Sequence, residues 1–237
     1  MIAMATVSIS YSACDSKAVS TNALKSETVI LLHGLCRTSR SMTKMQRALE
    51  RSGYTVLNVD YPSRTAPIPK LADDAIGHAL AVCRQNGATT IDFVTHSMGG
   101  ILVRSYLARH SVPDLGRVVM LAPPNQGSEV VDKLGRFGPF KWIHGPAGNE
   151  LGTGNDSLPN RIGPANFPVG IIAGDRSINW INSLLIPGPD DGKVSVKRAR
   201  LSGMTDFIVL HATHPLVMRN TRAIRQTIAF LQNGKFD

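Results

Sequence analysis

The sequence predicts an α/β fold: a mostly parallel sheet of about six strands, helices on both faces, and one small loop or lid insertion. Three observations carry that expectation. Short runs that are apolar throughout alternate with segments whose apolar residues recur at helical spacing. Glycine and proline punctuate the junctions between them. The chain's 237 residues suffice for one domain with a buried core and require no second one.

Each element follows in order. "TVILLHG" is an apolar run closed by Gly34, a buried strand. Ser41 to Ser52 brings Met42, Met45 and Leu49 onto one helical face and stops at Gly53. "YTVLNVDYP" is a second strand, ended by Pro62. Leu71 to Asn86 carries Leu71, Ala75, Ile76, Ala79, Leu80 and Cys83 on one face, with Gly87 beyond it. "TIDFVT" is the third strand, and Met98 to Arg109 is the helix after it. "RVVMLAPP", "PVGIIAG" and "DFIVLHA" complete six strands, and Pro215 to Asn233 is a closing helix. Asn125 to Asn166 breaks the rhythm. It is rich in Gly, Pro and Asn, and a stretch that long inside a domain is expected to be a functional loop, lid or cap.

Composition narrows the function classes. No apolar run approaches the roughly 20 residues that span a bilayer, and 43% hydrophobic with 18% charged residues is a globular balance. The formal charge is +9. Its basic residues are dispersed, with groups at Lys197, Arg198 and Arg200 and at Arg219, Arg222 and Arg225, and no aromatic residues interleave them to stack bases. Nucleic acid is therefore not an expected partner, whereas an anionic lipid interface fits the charge. Cys14, Cys36 and Cys83 are an odd number without metal-ligand spacing, so neither a disulfide framework nor a metal site is expected. Residues 1–27 read as a flexible segment or the remnant of an export signal, since Ser12, Ala13 and Cys14 resemble a lipoprotein cleavage site. The compartment stays open between cytoplasmic and exported.

The chemistry concentrates at strand ends, where sheets of this type hold ligands. In "THSMGG", Ser97 follows a strand and precedes a helix, and small residues on either side let the chain turn sharply enough to expose its hydroxyl. Gly99 fits that turn; Thr95 stands where the G-x-S-x-G pattern has its first glycine. "HGL" ends the first strand, so the backbone amides of Leu35 and Met98 are expected to receive the oxyanion of an acyl-transfer transition state. A serine hydroxyl needs a base. His214 lies between the last strand and the last helix; His211, nearer that strand, is the second candidate. His96 is expected to pack, His33 to support the oxyanion loop, and His78, His110 and His144 lack context. For the acid, Asp175 and Asp191 both fit the chain order serine, acid, histidine, with Asp190 a third.

"VILLHGL", "THSMGG", "DDGKVSV" and the terminal His-Pro-Leu together resemble the α/β-hydrolase superfamily, especially small bacterial serine esterases and lipases, over Thr28 to Phe230. The resemblance implies a catalytic domain over residues 28–237 with its insertion at about 125–166. It assigns the acid to Asp191, because the family's acid sits in an Asp-Gly-x-Val stretch a little over twenty residues before the histidine. Asp175 remains the alternative. It also makes Thr95 a mild departure, since many members carry alanine there.

The expected activity is then carboxylic ester hydrolysis through an acyl-enzyme on Ser97, with Asp191 and His214 completing a triad and no cofactor. The substrate would be a small-molecule or lipid ester. Phe137, Phe140, Trp142 and Ile143 are candidates for an apolar wall over the site, an open cleft suits short or medium acyl chains, and Arg37 could meet a carboxylate or phosphate. The alternatives are an acyltransferase or thioesterase on the same triad, a catalytically silent binding protein on this fold, and a polyanion-binding module. Oligomeric state is not legible.

Overall fold

The computed structural model describes residues 27–134, 138–178 and 183–237. The expected N-terminal segment, Cys14 included, and the side chains of Phe137, Phe140, Trp142 and Ile143 lie outside what it describes.

Six strands form one sheet: β1 (Glu27–Leu32), β2 (Thr55–Val59), β3 (Thr90–His96), β4 (Leu115–Leu121), β5 (Val169–Gly174) and β6 (Asp206–Leu210). Their order is β2-β1-β3-β4-β5-β6 and every pairing is parallel, one step stricter than the mostly parallel sheet expected. The apolar runs explain this. In β1, Val29 and Leu31 face one side and Ile30 and Leu32 the other, and all four are fully buried. A strand covered on both faces has no polar side to alternate with.

The first face packs Ile30, Leu32, Phe93 and Met120 against α2 (Ile68–Gln85) and α3 (Met98–Leu107). The second packs Val29, Leu31, Val94 and Leu121 against α1 (Thr43–Arg51) and the closing helix (Thr221–Asn233). Both covering pairs come from the periodic segments of the sequence.

The boundaries moved where tertiary contacts or caps intervene. α2 starts three residues before the expected Leu71, because Pro69 suits a first turn and Glu150 Oε2 accepts the Ile68 N–H at 2.6 Å. The expected helix from Pro215 is divided. Residues Val217–Arg219 form a 3-10 turn, then Asn220 caps a new helix by accepting from the amides of Arg222 (2.8 Å) and Ala223 (3.1 Å).

The irregular stretch between β4 and β5 holds α4 (Glu129–Leu134), α5 (Gly138–Asn149) and the single turn α6 (Leu158–Arg161). α5 breaks at Gly145, whose φ of 65° favours glycine; a Cβ there would also lie 2.1 Å from the carbonyl oxygen of Arg64. Among the described residues two later helices follow: α7 (Val196–Ala199) and α8 (Thr221–Asn233).

Candidate active site

The strand order reverses between β1 and β3, and the site lies beyond their carboxyl ends. Leu32 pairs with Thr95 at the last rung, so the loop after β1 and the turn after β3 emerge side by side.

Ser97 has φ 53° and ψ −122°, a conformation few non-glycine residues adopt. Its amide donates to the Leu121 carbonyl (2.8 Å), which ties the turn to β4. The close approach of α3 to β1 needs Gly99: a Cβ there would meet the carbonyl oxygens of Leu32 at 2.7 Å and His33 at 2.9 Å. Gly34 faces the turn from the other side, where a Cβ would lie 2.8 Å from His96 Nδ1. Thr95 is fully buried, so a threonine fits where the literal pattern has glycine.

Three side chains separated in sequence then meet. His214 Nε2 lies 3.0 Å from Ser97 Oγ, and His214 Nδ1 lies 2.8 Å from Asp191 Oδ2. A carboxylate only accepts, so Nδ1 carries the proton and Nε2 is left to accept from the serine hydroxyl. Asp191 is itself fixed: its Oδ1 accepts from the amides of Lys193 (3.0 Å) and Val194 (2.8 Å), and its carbonyl accepts from the His214 amide at 2.9 Å. Gly174, at the end of β5, permits this packing, since a Cβ would lie 2.9 Å from that of Asp191.

The other candidates go elsewhere. Asp175 Oδ1 sits 3.0 Å from His211 Nδ1, so the alternative acid and the alternative base pair with each other on an exposed edge, apart from Ser97. Asp190 Oδ1 accepts from the Gly192 amide (2.7 Å) and the Ser183 hydroxyl (2.9 Å) and shapes the loop.

His33 and His96 support the arrangement. His33 is buried, donates from Nδ1 to the Gly34 carbonyl (2.9 Å) and stacks on Tyr61 at 4.1 Å; the Tyr61 hydroxyl donates to its carbonyl (2.6 Å). Burial lowers its pKa, so it holds the loop after β1 as a neutral ring. His96 was expected only to pack. Its Nε2 donates to the His214 carbonyl at 3.0 Å, and burial, reinforced by His214, holds its pKa well below the usual histidine value. Its position beside the serine was the only trace of this in the sequence.

Leu35 lines the pocket in front of Ser97, and Met98 is the first residue of α3, where a helix has N–H groups without intrahelical partners. Cys36, with φ 56°, turns the chain away after Leu35 and sends Arg37 to the pocket. The pocket measures about 230 Å³. Ser128, Val130, Val131, His144 and Leu151 from the insertion form one wall of it, and Lys193 and Pro215 lie on the opposite loops. Neither His144 nor Lys193 was singled out in the sequence: His144 belongs to no motif, and in "DDGKVSV" the acid rather than Lys193 carries the pattern.

Against known proteins, the profile of the alpha/beta hydrolase fold family matches residues 27–152. A mature lipase of Bacillus licheniformis superimposes with a TM-score of 0.73 at 20% identity, covering 88% of this chain and 93% of that one. A metagenomic carboxyl esterase gives 0.67 at 21%, over 82% and 66%. An esterase of Pyrococcus furiosus gives 0.62 at 17%, over 88% and 82%. At such identities the likeness is one of fold. No curated protein matches at the level of sequence. The profile spans more than half of the 237 residues, and the chain belongs to the alpha/beta hydrolase fold family.

Proposed function

We propose that the protein hydrolyses carboxylic esters through an acyl-enzyme on Ser97. The observation that carries this reading is the relay from Ser97 Oγ to His214 Nε2 (3.0 Å) and from His214 Nδ1 to Asp191 Oδ2 (2.8 Å). A serine on a strained turn with an oriented imidazole at hydrogen-bond distance is an activated nucleophile.

Ser97 Oγ attacks the ester carbonyl carbon while His214 Nε2 takes its proton. The carbonyl oxygen becomes an oxyanion facing the amides of Leu35 and Met98, which require no reorganisation as its charge develops. His214 returns the proton to the leaving alkoxide, and the alcohol departs. Water then attacks the acyl-enzyme with His214 again as base, releasing the acid and restoring Ser97. Asp191 keeps the imidazole in the required tautomer and offsets its positive charge. His96, holding the His214 backbone, is a positioning residue.

The test is hydrolysis of p-nitrophenyl esters from acetate to palmitate. Ser97→Ala should lose at least about a thousandfold in kcat while keeping its circular dichroism. Asp191→Asn should lose a comparable factor and Asp175→Asn less than about twofold. Full activity in Ser97→Ala, or an Asp175→Asn variant as damaged as Asp191→Asn, would overturn the reading.

A further inference from the structure

Two full positive charges line the pocket that contains Ser97: Arg37, two residues after Leu35, and Lys193, two residues after Asp191. Among the described residues neither side chain makes a hydrogen bond or an ion pair. Several other cations of this molecule are matched. Arg84 pairs with Asp114, Arg109 with Asp73 and Arg198 with Glu129, while the buried Arg104 is met by backbone carbonyls. The pocket's one acid, Asp191, is already committed to His214 and to two amides.

Two cations lining one small space, whose one carboxylate is already engaged, are an arrangement that an anion completes. Arginine offers a planar fork that fits a carboxylate or phosphate bidentately, and lysine adds a point charge. Leu35, Val130, Val131 and Leu151 give the lining an apolar part that suits the hydrocarbon portion of an ester. Arg37 is half-buried and Lys193 is exposed at the pocket's rim; desolvation lowers the pKa of both, Arg37 pushes Lys193 further the same way, and a bound anion would act in the opposite direction.

We propose that this pocket selects esters bearing an anionic group, a carboxylate or a phosphate, held between Arg37 and Lys193. The proposal rests on the ester-hydrolase reading of the same site and names its substrate class.

The experiment compares matched pairs of substrates. p-Nitrophenyl hydrogen glutarate against p-nitrophenyl valerate places a carboxylate on the acyl side. Butyryl glycerol phosphate against monobutyrin places a phosphate on the alcohol side. In wild type, kcat/KM for the charged member of at least one pair should exceed that of its neutral partner by about tenfold. The responding pair identifies the source of the anion. Arg37→Gln and Lys193→Gln should each collapse that ratio, mainly through KM, and raising salt should reduce it.

A ratio at or below one in both pairs, with the neutral esters still cleaved through Ser97, would overturn this proposal and leave the hydrolase reading standing. If no ester of either charge is cleaved, the hydrolase reading fails. Glutarate and methyl phosphate binding, followed by thermal shift in wild type and Arg37→Gln, then decides the anion site. Stabilisation lost in the variant supports it, and no stabilisation of wild type overturns it.

Discussion

Ser97 is legible in the sequence because the demands on its turn are local. A serine at φ 53° is strained, and the strain is held by neighbours small enough to let β1, β3 and α3 converge. Gly99 is the strictest of these, since the atoms its Cβ would strike are the backbone oxygens of Leu32 and His33, which cannot swing aside. Gly99→Ala should therefore cost about 1–3 kcal/mol of stability, and by displacing the serine it should lower kcat about a hundredfold. Urea unfolding with ester kinetics on the same preparation checks both. An alanine variant with wild-type values would mean that the turn is looser than its contacts indicate. Thr95 shows the opposite case. The first position of the pattern points into a space that admits a threonine side chain, so departure from glycine there leaves the turn intact.

At the scale of elements, strands were easier to read than what joins them. An apolar run bounded by glycine or proline carries its own evidence, whereas α2 gained its first turn from Glu150, a residue 82 positions away that no local pattern reveals. The insertion resisted reading for the same reason: its contacts are long-range and polar. Arg104 of α3 is one of its anchors. The guanidinium is buried, pushed down to about 10 by that burial, and donates to the carbonyls of Asn125 (2.8 Å), Pro159 (2.9 Å) and Gly163 (2.8 Å). It thus joins the start and end of the segment that walls the pocket. In Arg104→Met three carbonyls, two of them fully buried, would lose their donor, and destabilisation of about 3 kcal/mol or more should follow. Because Ser128, Val130, Val131 and Leu151 depend on that anchor, KM should rise well below the melting temperature. An unchanged Tm and KM would show that the insertion is held by its other contacts alone.

Across the whole molecule, the candidate site was legible because the parallel sheet gathers residues that are far apart in the chain. Ser97 and His214 are 117 positions apart, and Asp191 and His214 are 23. Chain order left Asp175 and Asp191 equal as acids, the resemblance favoured Asp191, and in the folded chain Asp175 pairs with His211 while Asp191 meets His214. The same sheet buries one carboxyl that the sequence did not mark. Asp92, in the middle of β3, sits where the register with β4 shifts, and its Oδ1 accepts the Arg117 amide at 2.5 Å. Burial, with the nearby charge of Glu27 in the same direction, raises its pKa to about 6. The folded form therefore binds the proton more tightly than the unfolded chain does. Stability from this group is fully present below the unfolded value of 3.8 and is lost as pH rises through about 6, a loss of about 3 kcal/mol once the group is ionised. Asp92→Asn keeps an oxygen for Arg117 and removes the titration. Its stability relative to wild type should rise by about 2–3 kcal/mol between pH 4 and pH 7, read from urea unfolding at both values. A difference between the two proteins that does not change with pH would mean that Asp92 ionises without penalty inside the sheet.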